Sequence, residues 1–393
     1  MHPPQNREIY LDNAATTAVH PDIADRVREI MVSQYGNPSS LHKKGVEAEL
    51  LVTQARKQLG GALRCKTDEI VFTSGGTEAN HLALAGAAEA NRRRGNRIVS
   101  TAIEHTSVLE TLNRLEKRGF ETVLCPAGSN GSINPDRLAA LVTPDTILVS
   151  VMAVNNEIGS IQPLAALAAA VKAVNPALIF HTDAVQAFGK IPFQPDILGM
   201  DLAAVSAHKL HGPKGVGLLF IKTGTVLESQ LTGGGQEREL RSGTENVPGI
   251  AGFGMAAEAA VAGLAETGDR LRQLKLDLVS RLHEAGVDFA VNGPLPDQGL
   301  PQILSLAFPG VRGEVLTHFL EARNIFVSTG SACHSRSVKL SHVLKALNLP
   351  REKAEGTIRI SLSARTTPED IELTARALIE ALARLRPQKT RVP

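Results

Sequence analysis

The chain has 393 residues, of which 43% are apolar and 21% charged, and its formal net charge is only +2. This is ordinary globular composition over a length that suits about two or three domains with a large core. It excludes wholesale disorder, gives no support to nucleic acid or an acidic membrane surface as the main partner, and, with no run of about 20 apolar residues, excludes a helical membrane span.

In chain order, the opening MHPPQNREIYLDNAATT carries no apolar stretch of signal-peptide kind. Short β-branched runs then alternate with Ala/Leu-rich stretches. Strands are expected at 69–73 (EIVFT), 97–100, 121–124, 146–151, 178–181, 202–206 and 216–221, with helices at 77–91, about 107–117 and 164–174. Strands joined by crossover helices predict an α/β fold around a mainly parallel sheet of seven strands, with ligands beyond the carboxyl ends of the strands. Ala/Leu periodicity from 250 to about 284 predicts one long helix. Beyond it, 302–307, 313–322, 325–328, 339–347, 357–361 and 368–385 read as a smaller α+β domain. The expected division is a large domain over 15–260 and a small one over 1–14 and 261–393. The basic end RLRPQKTRVP reads as a solvated tail.

Cysteine is sparse, with Cys65, Cys125 and Cys333 far apart, so neither a disulfide framework nor a zinc site is expected and a reducing cytoplasm is the natural setting. Cys65 and Cys125 flank strands and read as structural. Cys333 sits in a small-residue loop with His334, Arg336 and Lys339 close by in sequence, cations that could lower its thiol pKa and make it reactive.

Polar clusters gather at the strand ends. Gly75, Gly76 and Thr77 follow EIVFT and open an Ala-rich helix, which suits either an anion-binding turn or a plain βα turn with a Thr cap. No GxGxxG or GxxxxGK[ST] is present, so a nucleotide pyrophosphate site is not supported. Asp183 and Gln186 follow one strand, and Ser206, His208 and Lys209 close the next. The acid and the lysine could form an ordinary salt bridge, or anchor pyridoxal phosphate, which needs a Schiff-base lysine, an acid on its pyridine nitrogen and a phosphate cradle. His105 could cap the next helix, stack on an aromatic cofactor or shuttle protons. Asn155 and Asn156 could hold a cofactor oxygen or serve as turn residues. The stretch GGGQERELRSGT at 233–244 reads as a flexible basic loop. Arg359, between two isoleucines of a strand, is expected to meet a carboxylate, structural or substrate.

Taken in order, YLDNAATT at 10–17, GNPSSLH at 36–42, TSGGTEAN at 73–80, EH at 104–105, NNEIG at 155–159, DAVQ at 183–186, SAHK at 206–209, GPKG at 212–215, the loop at 233–244 and SAC at 331–333 resemble the cysteine desulfurases of the NifS/IscS type. The resemblance implies a fold-type I pyridoxal-phosphate-dependent transferase that converts L-cysteine to L-alanine and leaves a persulfide on Cys333. It implies that Lys209 carries the cofactor, Asp183 faces its ring nitrogen, Gln186 its ring hydroxyl, and His105 stacks on the ring. It further implies that Gly76, Thr77, Ser206 and His208 hold the phosphate, that Asn156 touches cofactor and substrate, that Arg359 clamps the substrate carboxylate, and that Thr244 reaches the phosphate of the partner in a homodimer. An iron–sulfur scaffold protein is the implied sulfur acceptor, and Cys333 could share a cluster with it; no metal is otherwise required. A selenocysteine lyase or an aminotransferase of the same fold is the alternative, and comparing substrates or removing the Cys333 thiol separates them.

Overall fold

The computed structural model describes residues 7–329 and 340–386. The loop carrying Cys333 and the last seven residues of the basic tail lie outside them. The chain begins with β1 (Ile9–Tyr10), α1 (Pro21–Ser33) and α2 (Lys43–Leu63). The alternating region follows: β2 (Ile70–Thr73), α3 (Gly76–Asn91), β3 (Arg97–Thr101), α4 (Thr106–Glu116), β4 (Glu121–Cys125), α5 (Pro135–Ala139), β5 (Thr146–Ser150), α6 (Leu164–Val174), β6 (Ile179–Asp183), β7 (Leu202–Ser206) and β8 (Gly217–Ile221). Strands β2 to β8 form one seven-stranded sheet in the order β2-β8-β7-β6-β5-β3-β4. The pairs β3–β4, β3–β5, β5–β6 and β6–β7 are parallel, and β8 alone runs against both of its neighbours. Hence β2, β3, β5, β6 and β7 all end at the same edge. Strands β2 and β5 to β8 are buried along their whole length, as continuous apolar runs require when both faces are covered. Helix α3 is apolar nearly all round and packs between the sheet and α4.

After the sheet come α7 (Val247–Ala262), α8 (Leu264–Glu284), β9 (Ala290–Val291), β10 (Ile303–Ala307), α9 (Gly313–Glu321), β11 (Ile325–Phe326), β12 (Ser328–Thr329), α10 (His342–Ala346), α11 (Arg351–Glu355), β13 (Thr357–Ser361) and α12 (Pro368–Leu385). The expected single helix over 250–284 is two helices meeting at a 70° bend at Gly263. The bend lets the segment serve two cores. Ile250, Phe253 and Ala257 of α7 join the cluster under the large sheet, whereas Leu271, Leu274, Leu278 and Leu282 of α8 join a separate cluster with β10, β13 and α12. The expected strand at 325–328 also divides. Ile325–Phe326 pairs in parallel with β1, and Ser328–Thr329 joins the antiparallel sheet β12-β13-β10-β9. Ile9 and Leu11 thereby belong to the smaller core and Ala14 to the larger. Among the described residues no single helix is long and apolar enough to cross a membrane.

Candidate active site at the strand ends

A cavity of about 290 Å³ opens at the shared carboxyl edge of β2, β3, β5, β6 and β7. Gly76, Thr77, His105, Asn156, Asp183, Gln186, Ser206, His208 and Lys209 line it, together with Asn80, Ser107, Met152 and Val185. Nine residues singled out from five separate stretches of sequence therefore share one space. Thr244 and Arg359 are not among them. Thr244 lines a separate cavity of about 110 Å³ with Thr73, Ser74 and Arg241. Cys333 lies outside the described residues.

The floor is a hydrogen-bonded relay. Asp183, buried at the end of β6, accepts from Asn80 Nδ2 through Oδ2 (2.7 Å) and from the Val185 N–H through Oδ1 (3.0 Å). The second hydrogen of the same Asn80 amide goes to Ser107 Oγ (2.9 Å). The Ser107 hydroxyl, having accepted, is left to donate to His105 Nδ1 (2.8 Å), which also accepts the Ser107 backbone N–H (3.1 Å). With Nδ1 an acceptor twice over, the ring proton of neutral His105 sits on Nε2. Burial holds the His105 pKa below the ordinary histidine range, with Asp183 opposing and Lys209 and His342 adding to the fall. His105 is thus both a helix cap and a cavity residue; the two roles use different edges of the ring.

The phosphate-cradle candidates sit on β2, α3 and β7. Helix α3 starts at Gly76, and its first N–H groups have no carbonyl one turn back. A Cβ on Gly76 would meet Val185 Cγ2 at 2.6 Å, so only glycine lets the turn close here. The Ser206 hydroxyl is buried beside it without a hydrogen-bond partner among the described residues. His208 Nδ1 is hydrogen-bonded to Thr16 Oγ1 (3.1 Å), and burial, with Lys209, Lys214 and Lys190 nearby, pushes its pKa down to about 4. It is therefore a neutral donor at pH 7. An unpartnered hydroxyl, a Gly turn that excludes side chains and a helix start fit a phosphate. An acid and a lysine at adjacent strand ends fit a pyridine aldehyde. The residues present thus suit pyridoxal phosphate.

Sequence reasoning misses the role of 11–17. This segment leaves the small sheet, where the Ser361 N–H donates to Leu11 O (2.7 Å), and crosses to the turn at 206–209. There the carbonyls of Ala14 and Ala15 receive Lys209 Nζ (2.7 and 2.6 Å), and Ala14 O also receives Gln186 Nε2 (2.9 Å). Carbonyl oxygens leave no trace in residue identity, so no signal pointed to them. Asn80 and Ser107 did have one: Asn80 stands one helical turn after Thr77, and Ser107 two residues after His105. Of the two asparagines, Asn155 is the turn residue, accepting from the Glu157 and Ile158 N–H groups (2.9 and 3.0 Å), and Asn156 lines the cavity.

The cavity rim carries the small domain. Arg359 binds Asp12 Oδ1 (2.7 Å) and the carbonyl of Asn156 (2.9 Å), while its buried Nε has no partner among the described residues. Ser341 Oγ donates to Glu157 Oε2 (2.5 Å), and His342 Nε2 meets the carbonyl of Glu104 (2.8 Å). The loop at 233–244, expected to be flexible, is fastened: Glu237 bridges Arg56 (2.6 Å) and accepts the Phe72 N–H (2.8 Å), and Arg241 bridges Glu78 (2.8 Å). Cys65 and Cys125 are free thiols; burial pushes Cys65 up to about 12, nearby carboxylates adding to it, and raises Cys125 as well.

Residues 9–373 match the family model of the class-V aminotransferases. The chain is 42% identical over 380 residues to a protein named cysteine desulfurase IscS from Dictyoglomus turgidum, covering 97% of this chain and 96% of that one. It is 40% identical over 374 residues to a protein of the same name from Clostridium botulinum, covering 95% and 94%. A solved structure titled NifS-like protein superposes with a TM-score of 0.90 at 40% identity, covering 96% of this chain and all of the other.

Proposed function

The chain belongs to the class-V aminotransferase family, and from that premise we propose how its residues divide the work of a pyridoxal-phosphate-dependent cysteine desulfurase. The enzyme takes sulfur from L-cysteine and releases L-alanine. The observation that carries the assignment of residues is the single cavity in which Lys209, Asp183, Gln186, His105 and the Gly76–Ser206 cradle converge.

When bound, pyridoxal phosphate supplies an electron sink for the pair left behind as the amino acid loses its α-proton. Lys209 is the amine that attaches the cofactor and moves protons. Asp183, already oriented by Asn80 and the Val185 N–H, would hold the ring nitrogen and favour a proton there. His105 would offer the ring a donor at Nε2. Ser206, His208 and the first amides of α3 would hold the phosphate. Arg359 releases Asp12 to take the substrate carboxylate, an exchange of one carboxylate for another.

Cys333 is the sulfur acceptor in this reading. Its thiolate takes the substrate sulfur as the carbon–sulfur bond breaks, which leaves a Cys333 persulfide and alanine. The other two thiols are disfavoured as nucleophiles by burial. Cys333 stands eight positions before Ser341, which is held at Glu157 beside Asn156. Such a tether reaches at most about 26–29 Å. The same reading places the enzyme in the cytoplasm as a homodimer and hands the sulfur to an iron–sulfur scaffold. Exposed Met31, Val32, Tyr35, Leu41, Val46 and Leu50 on α1, α2 and their connection support a subunit contact.

The test is alanine and sulfide release from L-cysteine with excess reductant, comparing wild type with Cys333→Ala. Both products are expected from wild type and neither from the variant. A variant as active as wild type would make the thiol a bystander and move the protein to a lyase or aminotransferase on the same cofactor.

A further inference from the structure

We propose that Lys190 is a positioning residue for the cofactor: it locks the carboxamide of Gln186 so that this side chain offers the cavity a donor and never an acceptor. The inference rests on the assignment of Gln186 to the cofactor's ring oxygen given above.

Residues 184–191 form overlapping tight turns after β6, with Phe188 N–H donating to Ala184 O (3.0 Å) and Ile191 N–H to Ala187 O (3.1 Å). Gln186 and Lys190 stand four apart across these turns. Gly189 closes the turn at φ +70°, and a Cβ there would lie 2.7 Å from Leu210 Cδ2 and 2.9 Å from Ala260 Cβ. The tight turn brings Lys190 Nζ to 2.6 Å from Gln186 Oε1. Lys190 Nζ donates whether charged or neutral, and its partner is the amide oxygen because the Nε2 end is turned to a carbonyl, which only accepts. On the other end of the same amide, one Nε2 hydrogen goes to Ala14 O. Both ends being occupied, the carboxamide cannot flip. Its one remaining N–H is the group left for the cavity that Gln186 lines.

The charge around Lys190 has one sign. Lys209 and Arg359 face it, and His208 and His211 feel its charge in turn. Lys190 lines a second cavity of about 310 Å³ behind Lys209, whose other ionisable lining groups are His20, Lys209, His211 and Arg365, with no carboxylate among them. Burial and these cations bring Lys190 down to about 7. Such a costly group, bonded to a neutral amide rather than to an acid, makes sense if its donor and its charge act on the neighbouring site. A donor to the cofactor's oxygen with positive charge behind it favours the unprotonated form of the bound chromophore.

The measurement is the pH titration of the visible band of the purified holoenzyme, with the rate of cofactor loss on dilution, for wild type, Lys190→Met and Lys190→Arg. In Lys190→Met the midpoint is expected to rise by about one pH unit and cofactor loss to quicken, while Lys190→Arg stays near wild type. A folded Lys190→Met with the wild-type midpoint overturns the inference and leaves the assignment of Gln186 standing. A wild type that binds pyridoxal phosphate without a visible band overturns that assignment and the inference together. Should Lys190→Met fail to fold, Lys190→Gln, which keeps an N–H and loses the charge, is read by the same criterion.

Discussion

Ser107 is the smallest member of the relay and the one that decides the tautomer of His105. Its hydroxyl accepts from Asn80 and donates to His105 Nδ1, so it transmits the orientation of Asp183 to the ring on the opposite wall of the cavity. Ser107→Ala removes that donor yet keeps the backbone N–H that caps Nδ1. It also leaves one hydrogen of Asn80 unpaired. A loss of about 1.4 kcal/mol of oriented hydrogen bonding corresponds to about tenfold in rate. We expect kcat/KM for L-cysteine to fall by about that factor and Tm to drop by no more than a few degrees, from the unpaired Asn80 hydrogen. A wild-type rate would mean that the tautomer is set without Ser107. The helix cap alone was readable from the sequence; the relay was not, because its members stand 27 and 103 residues apart and meet only when α3 is laid across the strand ends.

At the scale of elements, the glycines of the turns differ in kind. Gly189 has a left-handed φ and no room for a methyl group between Leu210 and Ala260. Gly189→Ala should therefore cost about 1–3 kcal/mol from backbone strain and more from the clash, and should displace Lys190 from Gln186. Gly263, at the bend between α7 and α8, has φ −98° and only ordinary contacts for a Cβ, the nearest 3.5 Å away at Thr267 Oγ1. Gly263→Ala should be neutral or stabilising by about 0.5–1 kcal/mol, since alanine restricts the unfolded chain without strain in the fold. Denaturant midpoints of the two variants check both statements, and a large loss in Gly263→Ala would show that the bend depends on glycine. The bend itself was invisible to periodicity. Ala/Leu spacing runs across it, and what ends α7 is the change of partner from the large sheet's core to the small domain's core.

For the whole molecule, pH acts through buried and half-buried groups on and beyond the strands of the large sheet. His181, on β6, is held down to about 3 by burial and His208 to about 4, while Glu104, beside His105, is raised to about 8. As pH falls from about 6.5 toward 4, the unfolded chain protonates both histidines and the folded chain does not, so stability is lost on acidification. Glu104 acts in the opposite sense. Its folded carboxyl keeps a proton that the unfolded chain loses above about 4.5, so its contribution is present below that value and is lost as pH rises through about 8. Glu104→Gln keeps the oxygen that accepts from Thr101 Oγ1 and Met152 N–H and removes the titration. Its Tm relative to wild type should therefore climb steadily from pH 4.5 to 8. A constant difference would show that Glu104 is ionised in the folded protein.

Periodicity and strand-end polarity are properties of short stretches of chain. The alternating sheet and helices, the small sheet's β10 and β13, the helix α12, and the candidate residues at the ends of β2, β3, β5, β6 and β7 were for that reason legible in the sequence alone. Backbone propensity and apolar period act over a few residues and need no partner to be read. The tertiary structure decided what depends on distant chain: that Asn156 and not Asn155 faces the cavity, that Arg359 rests on Asp12, and that 325–328 serves two sheets. It also decided that the carbonyls of Ala14 and Ala15 receive Lys209 across some 195 residues of chain. Those outcomes follow from which surfaces exclude water together and which buried polar atoms must then be paired, and both conditions are met only once the whole chain is packed.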